Sequence, residues 1–162
     1  MSKNKIQDPF LGPIKDMQRS QNEHHHNYYR GRHRITMFDN VINVLNLPGV
    51  STSTWTDLDF TGYTSSGTGQ ISDDTFAVIL QVRVKDSASA TSDAFISYRK
   101  NGSTDTIGQL VAQPSHINNT YHFEQGIVYL DSNYICERAI LASGANTLTS
   151  DIYLIGYIEQ IS

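Results

Sequence analysis

The stretch Asn22 to Met37, NEHHHNYYRGRHRITM, gathers four of the chain's six histidines, three arginines and two adjacent tyrosines. Imidazoles invite a transition metal, but a site needs ligands aimed at one point. Three consecutive histidines (His24, His25, His26) on an extended chain point different ways, so a shared ion would need one imidazole from each of several subunits. The expectation is instead no metal: a polar segment at a subunit surface, where histidine adds hydrogen bonds and a pH-sensitive charge. YYRGRHR interleaves cations with stacking rings, as single-strand binders do. The run is short, and the rest of the chain is acidic. Arg30, Arg32 and Arg34 therefore suit bidentate pairing with carboxylates on a protein partner, and no nucleic acid is expected as a partner.

Elsewhere the reactive types are scattered. Cys136 lies in an apolar strand pattern beside Ile135, far in sequence from His116 and His122, and reads as a small buried group. No G-x-S-x-G is present. Asp57, Asp59, Asp73, Asp74, Glu124 and Asp131 offer carboxylates for glycoside hydrolysis, which needs only a pair. With so many acids at strand edges and loops, the expectation is solvated turn carboxylates. Glycine-rich phosphate cradles are absent, and Asp57-Leu58-Asp59 is no calcium loop. The expectation is a protein that is not an enzyme and takes no cofactor.

The chain of 162 residues is long enough for one core without disulfides or metal, and its single cysteine allows no internal bridge. No apolar run reaches the roughly 18 residues of a membrane helix, and MSKNKIQDPF lacks the apolar centre of a signal peptide. This reading gives a soluble protein made in the cytoplasm, with no membrane partner. Charge is uneven: residues 1–40 carry seven Lys/Arg against four acids, and the remainder five against twelve. A basic arm on an acidic body implies different partners for the two parts.

Which elements would hold these residues? FAVILQVRVK, 76–85, places Phe76, Val78, Leu80, Val82 and Val84 on one face at period two and reads as a central strand. WTDLDF alternates Trp55, Asp57 and Asp59 against Leu58 and Phe60. AFISYRK runs into Asn101-Gly102, a dipeptide that tolerates positive φ in a turn. TIGQLVAQ, TYHFE, GIVYLD, YICERAILA and DIYLIGYIE follow at short intervals, making about eight short strands with no amphipathic helix. The spacing predicts an all-β, antiparallel sandwich or barrel. In the last strand, Ile152, Leu154 and Ile158 alternate with Tyr153, Ile155 and Tyr157. Both faces are apolar, so the second is expected to meet a neighbouring subunit. The boundary is placed near residue 50, giving a docking arm over 1–50 and a body over 51–162.

TWTDLDFT, FAVILQVRV, AFISYRKNGS, QGIVYLDSN and DIYLIGYIE together resemble a recurrent β-domain of small tailed-phage structural proteins. In that group a DLD strand precedes an apolar strand, an FR.NG hairpin and a closing I.L.GYI. The resemblance spans residues 54–160. Here the hairpin carries Tyr98 where the pattern has Phe, and the turn after Asp131 lacks its glycine. The resemblance implies a jelly-roll-like β-sandwich that forms homotrimers. It implies a structural virion protein, of the capsid-decoration or head-fibre type, joined to the particle by an N-terminal arm. The arm would offer Phe10 and Leu11, between Pro9 and Pro13, as an apolar anchor to a capsid or tail protein. His24, His25, His26, Tyr28, Tyr29, Arg30, Arg32 and Arg34 would surround that contact. Tyr153, Ile155 and Tyr157 would form the trimer interface. The alternative is a tail-fibre tip that binds host-surface glycan, with Trp55, Tyr63 and Tyr134 as stacking rings.

Overall fold

The apolar run at 76–85 is strand β3 (Thr75–Asp86) of a computed structural model that describes residues 32–88 and 93–161. Its neighbours in chain order are β1 (Arg32–Val50), β2 (Ser53–Asp59), β4 (Phe95–Lys100), β5 (Leu110–Ala112), β6 (His122–Tyr129), β7 (Ile135–Leu141) and β8 (Leu148–Ile161). A single 3-10 turn, Thr61–Tyr63, follows β2. The strands form two four-stranded sheets, ordered β1-β8-β3-β6 and β2-β7-β4-β5. The fold is the expected antiparallel β-sandwich. First pairs with last, second with seventh, third with sixth and fourth with fifth, so the chain is one long hairpin folded over on itself.

The core lies between the sheets. Val78, Leu80, Val82 and Val84 of β3 face Ile96 and Tyr98 of β4 and Cys136 of β7 within one buried cluster. The alternation expected for β2 holds, with Leu58 and Phe60 buried and Asp57 and Asp59 exposed. TYHFE and GIVYLD are not separate strands. They merge into β6, because Gly126 at their junction leaves room for the Leu110 side chain, which would lie 2.9 Å from an added Cβ. Asn101-Gly102 forms a β-turn in which Ser103 N–H donates to the Lys100 carbonyl at 3.1 Å. Gly102 has φ +73°, the left-handed value a type II turn requires at that position.

Three expectations need correction. The body does not begin at 51. Residues from Arg32 onward form β1, the edge strand beside β8, and the compact unit runs from His33 to Gln160. Phe38, Ile42, Val44 and Leu45, expected in the arm, pack on the core. Next, Phe76 is not on the core face. Thr75 pairs with Glu159 but Ala77 with Ile158, so Phe76 is an extra residue, a β-bulge. Its ring is half-buried, 4.8 Å from His33 and 6.0 Å from Tyr129.

Last, the faces of β8 are not constant along its length. Ile79 pairs with Gly156 and Leu80 with Leu154, which leaves Ile155 as a second bulge. Each extra residue inverts the side-chain alternation beyond it. Ile152 and Leu154 face the core below the bulge; above it, Tyr157 does, opposite Val78, with its ring 5.9 Å from Phe38. Tyr153, Ile155 and Tyr157 are thus not one bare stripe. Ile155 and Tyr157 are 8% and 9% exposed within the chain itself, and Tyr153 is half-buried beside Gln81.

Candidate functional site

The nucleophile candidates stay apart. Cys136 points into the core from β7, and burial pushes its thiol up to about 12, leaving no thiolate at neutral pH. His116 and His122 instead line an open depression of about 320 Å³ with Val111, Gln113, Pro114, Ser115 and Glu124. His122 Nδ1 lies 2.9 Å from the Gln113 carbonyl oxygen, which only accepts, so this nitrogen carries its proton. Ser115 Oγ donates to the Ile117 or Thr120 carbonyl at 3.1 and 3.2 Å and accepts from Ile117 N–H at 3.3 Å. Its proton is directed at loop backbone rather than at an imidazole, and the cluster closes a turn.

The carboxylates are engaged in the same way. Asp59 accepts from Thr61 N–H at 2.7 Å and starts the 3-10 turn. Asp73 accepts from the hydroxyl and the N–H of Ser65, which hold it below the ordinary carboxylate range. Burial raises Asp131, but hydrogen bonds from Ile135 N–H, the Asn101 amide and Asn133 N–H outweigh it and lower its pKa overall. Asp73, Asp74 and Asp131 border a depression of about 240 Å³ that also meets Phe76, Ser132 and Tyr134. Among the described residues, no group of three or more His, Cys, Asp or Glu is arranged to hold a metal ion. Asp86, the last residue of β3, has a different setting. It is a buried carboxylate accepting from Ala88 N–H at 2.9 Å, Ser143 N–H at 3.2 Å, Thr147 Oγ1 at 3.0 Å and the Ser143 hydroxyl.

The three stacking candidates do not share a platform. Trp55 carries the Arg99 guanidinium 3.9 Å from its ring centroid, and Arg99 Nε also donates to Glu137 at 2.7 Å. Tyr63 packs against the core, its ring 6.0 Å from Phe60. Tyr134 donates to the Asp73 carbonyl at 2.6 Å at the rim of the acidic depression. Of the arm residues, Phe10, Leu11, His24, His25, His26, Tyr28, Tyr29 and Arg30 lie outside the described residues. Arg32 opens β1, and Arg34 in β1 donates to the buried carboxylate of Glu159 in β8. That bond, with one from Ser72, holds Glu159 below its ordinary range.

Sequence reading missed the outer face of the β1-β8-β3-β6 sheet. Ile79 pairs with Gly156 on one side and Ile127 on the other, and Met37 Sδ would lie 2.9 Å from a Cβ on Gly156. Met37, Gly156, Ile79 and Ile127 therefore form an apolar row across all four strands. The signal was present as period-two runs, Ile35-Met37-Asp39-Val41 and Phe123-Gln125-Ile127-Tyr129. The first was hidden because its residues were assigned to the arm.

No protein-family model matches the chain, and no characterised protein matches it in sequence.

Proposed function

We propose that the protein is a non-enzymatic structural component of a tailed-phage virion. It is a homotrimeric capsid-decoration or head-fibre protein, made in the host cytoplasm and joined to the particle by the residues that precede the sandwich. The observation that carries this reading is where the five resembling stretches fall. TWTDLDFT lies on β2, FAVILQVRV on β3, AFISYRKNGS on β4 and its turn, QGIVYLDSN on β6 and its turn, and DIYLIGYIE on β8. The nested pairing of first with last strand supports reading the sandwich as jelly-roll-like.

The test is immunogold electron microscopy on particles made by the genome that encodes the chain. Regularly spaced label on the capsid supports the assignment. Label confined to a fibre tip transfers it to the glycan-binding alternative. Absence of the chain from purified particles by mass spectrometry overturns both.

A further inference from the structure

Among the described residues, five buried side-chain polar atoms have no hydrogen-bond partner: Ser53 Oγ, Thr75 Oγ1, Tyr98 Oη, Arg138 Nε and Ser150 Oγ. Thr75 stands by itself at the start of β3. The other four project between the sheets from β2, β4, β7 and β8. Tyr98 pairs with Arg138, so both side chains leave their sheet on one face. That is the core face, since Tyr98 and Cys136 are fully buried there. Ser53 pairs with Ile140, the next core-facing residue of β7. From the opposite sheet, Ser150 pairs with Val84 and is fully buried as well. Burial raises the Tyr98 phenol, and the Arg138 charge and the Ser150 hydroxyl oppose that rise, so both lie close to it. Neither meets it in hydrogen-bond geometry.

Native proteins leave few buried polar groups unpaired, and a cluster of them needs a cause. The chemistry here is one-sided. A guanidinium only donates, and it carries a permanent positive charge. None of the ion pairs among the described residues includes Arg138. The neighbouring acids are on the other side of the sheet: Asp57 pairs with Glu137, and Glu137 accepts from Arg99 at 2.7 Å. A water molecule would occupy the donors but leave the charge uncompensated. An anion does both, because the serine and tyrosine hydroxyls are free to turn their protons toward it. It has to be small, since Tyr98 and Ser150 are fully buried. Its way in follows Arg138, which is half-buried beside the edge strand β2. We propose that Arg138, Tyr98 and Ser150, with Ser53 on the edge strand, bind a monovalent anion of halide size between the two sheets.

The test uses bromide, which scatters anomalously, and the purified full chain. A crystal grown in sodium bromide should show an anomalous peak within hydrogen-bond reach of Arg138 Nε and the Tyr98 hydroxyl. In solution, replacing fluoride by bromide at constant ionic strength should raise the urea midpoint, and the rise should saturate with bromide concentration. General salt effects run the other way, because strongly hydrated ions such as fluoride are excluded from protein surface. Arg138→Met keeps the apolar stem and removes the charge, and should abolish both the peak and the bromide dependence. Tyr98→Phe should weaken the apparent bromide affinity roughly tenfold or more. Trp55→Ala, which alters the outer face where Trp55 carries Arg99, should respond to bromide like the wild type. Ordered water without anomalous signal at the cluster overturns the inference. So does a peak with no bromide dependence of stability, which marks an adventitious ion only, or a dependence that survives Arg138→Met. If Arg138→Met fails to fold, the wild-type peak and the Tyr98→Phe titration decide. None of these outcomes depends on where the protein sits on a particle, so the immunogold result stands or falls separately.

Discussion

Asp86 ends β3 with both carboxylate oxygens occupied by donors from two different loops, Ala88 on one side and Ser143 and Thr147 on the other. Burial alone would raise its pKa, but the donors from Ser143, Ala88 and Thr147 lower it overall. The unfolded chain, with an ordinary value of about 4, therefore takes up the proton first. The stabilisation is complete above that ordinary value and disappears as pH falls through the lower folded value. Asp73, Asp131 and Glu159 shift in the same direction. The urea midpoint should stay level between about pH 5 and 8 and fall below about pH 4. Asp86→Asn turns an acceptor into an amide that faces donors, and should cost about 2 kcal/mol at neutral pH. Its stability should also fall less steeply in acid than that of the wild type. An unchanged urea midpoint for Asp86→Asn would show that the two loops are held by something else. None of this was legible locally. Asp86 opens the small-residue stretch DSASATSD, and two of its three donor residues lie 57 and 61 positions away.

At the level of elements, β1 and the bulge at Ile155 mark where period-two reading worked and where it failed. The strong alternation of β3 was legible from Val78 onward, because each second residue is β-branched or Leu and faces one core. β1 was not, because it is an edge strand whose outer residues remain exposed and whose inner ones, Leu47 apart, are only half-buried. A bulge leaves no mark in composition, so the β8 pattern was extrapolated past Ile155 onto the wrong face. The flip predicts unequal costs. Tyr157→Ala should destabilise by about 3 kcal/mol or more, as removal of a core aromatic does, while Tyr153→Ala should cost less than about 1 kcal/mol. Equal effects in urea titrations would restore the unbroken alternation. Truncation provides a second check. A chain beginning at residue 32 should melt cooperatively. One beginning at residue 41 loses Arg34, Met37 and Phe38 and bares the upper edge of β8. It should lose roughly 3 kcal/mol, about 10 °C in Tm, and aggregate more readily.

For the molecule as a whole, the class was legible and the wiring was not. Strand-length apolar runs separated by PSHINN, DSN and SGANT point to an antiparallel β-sandwich or barrel, since each strand has an apolar face to bury. Nothing in a single strand says that β2 pairs with β7 rather than β3. That order follows from closing both sheets over one core at once. The pairing of β1 with β8 is the most distant contact available, and β8 also supplies the neighbour of β3. Such non-local pairing slows folding, to roughly milliseconds to seconds. A chain ending at Thr147 should therefore lack a cooperative urea transition altogether, because β1 and β3 would lose the strand between them. A sharp transition in that truncation would mean that the β2-β7-β4-β5 sheet and its loops fold independently.

The Arg34–Glu159 pair at one end of the β1–β8 ladder and the Gly49–Thr149 contact at the other show that these strands run antiparallel, with the start of β1 beside the end of β8. Mechanical load applied between those two points meets the ladder rung by rung instead of shearing all its hydrogen bonds together. The sandwich should peel open at low force when pulled from residues 33 and 160. Pulled from residue 33 and the Asn101-Gly102 turn, it should hold longer, since that load reaches across the core to the other sheet.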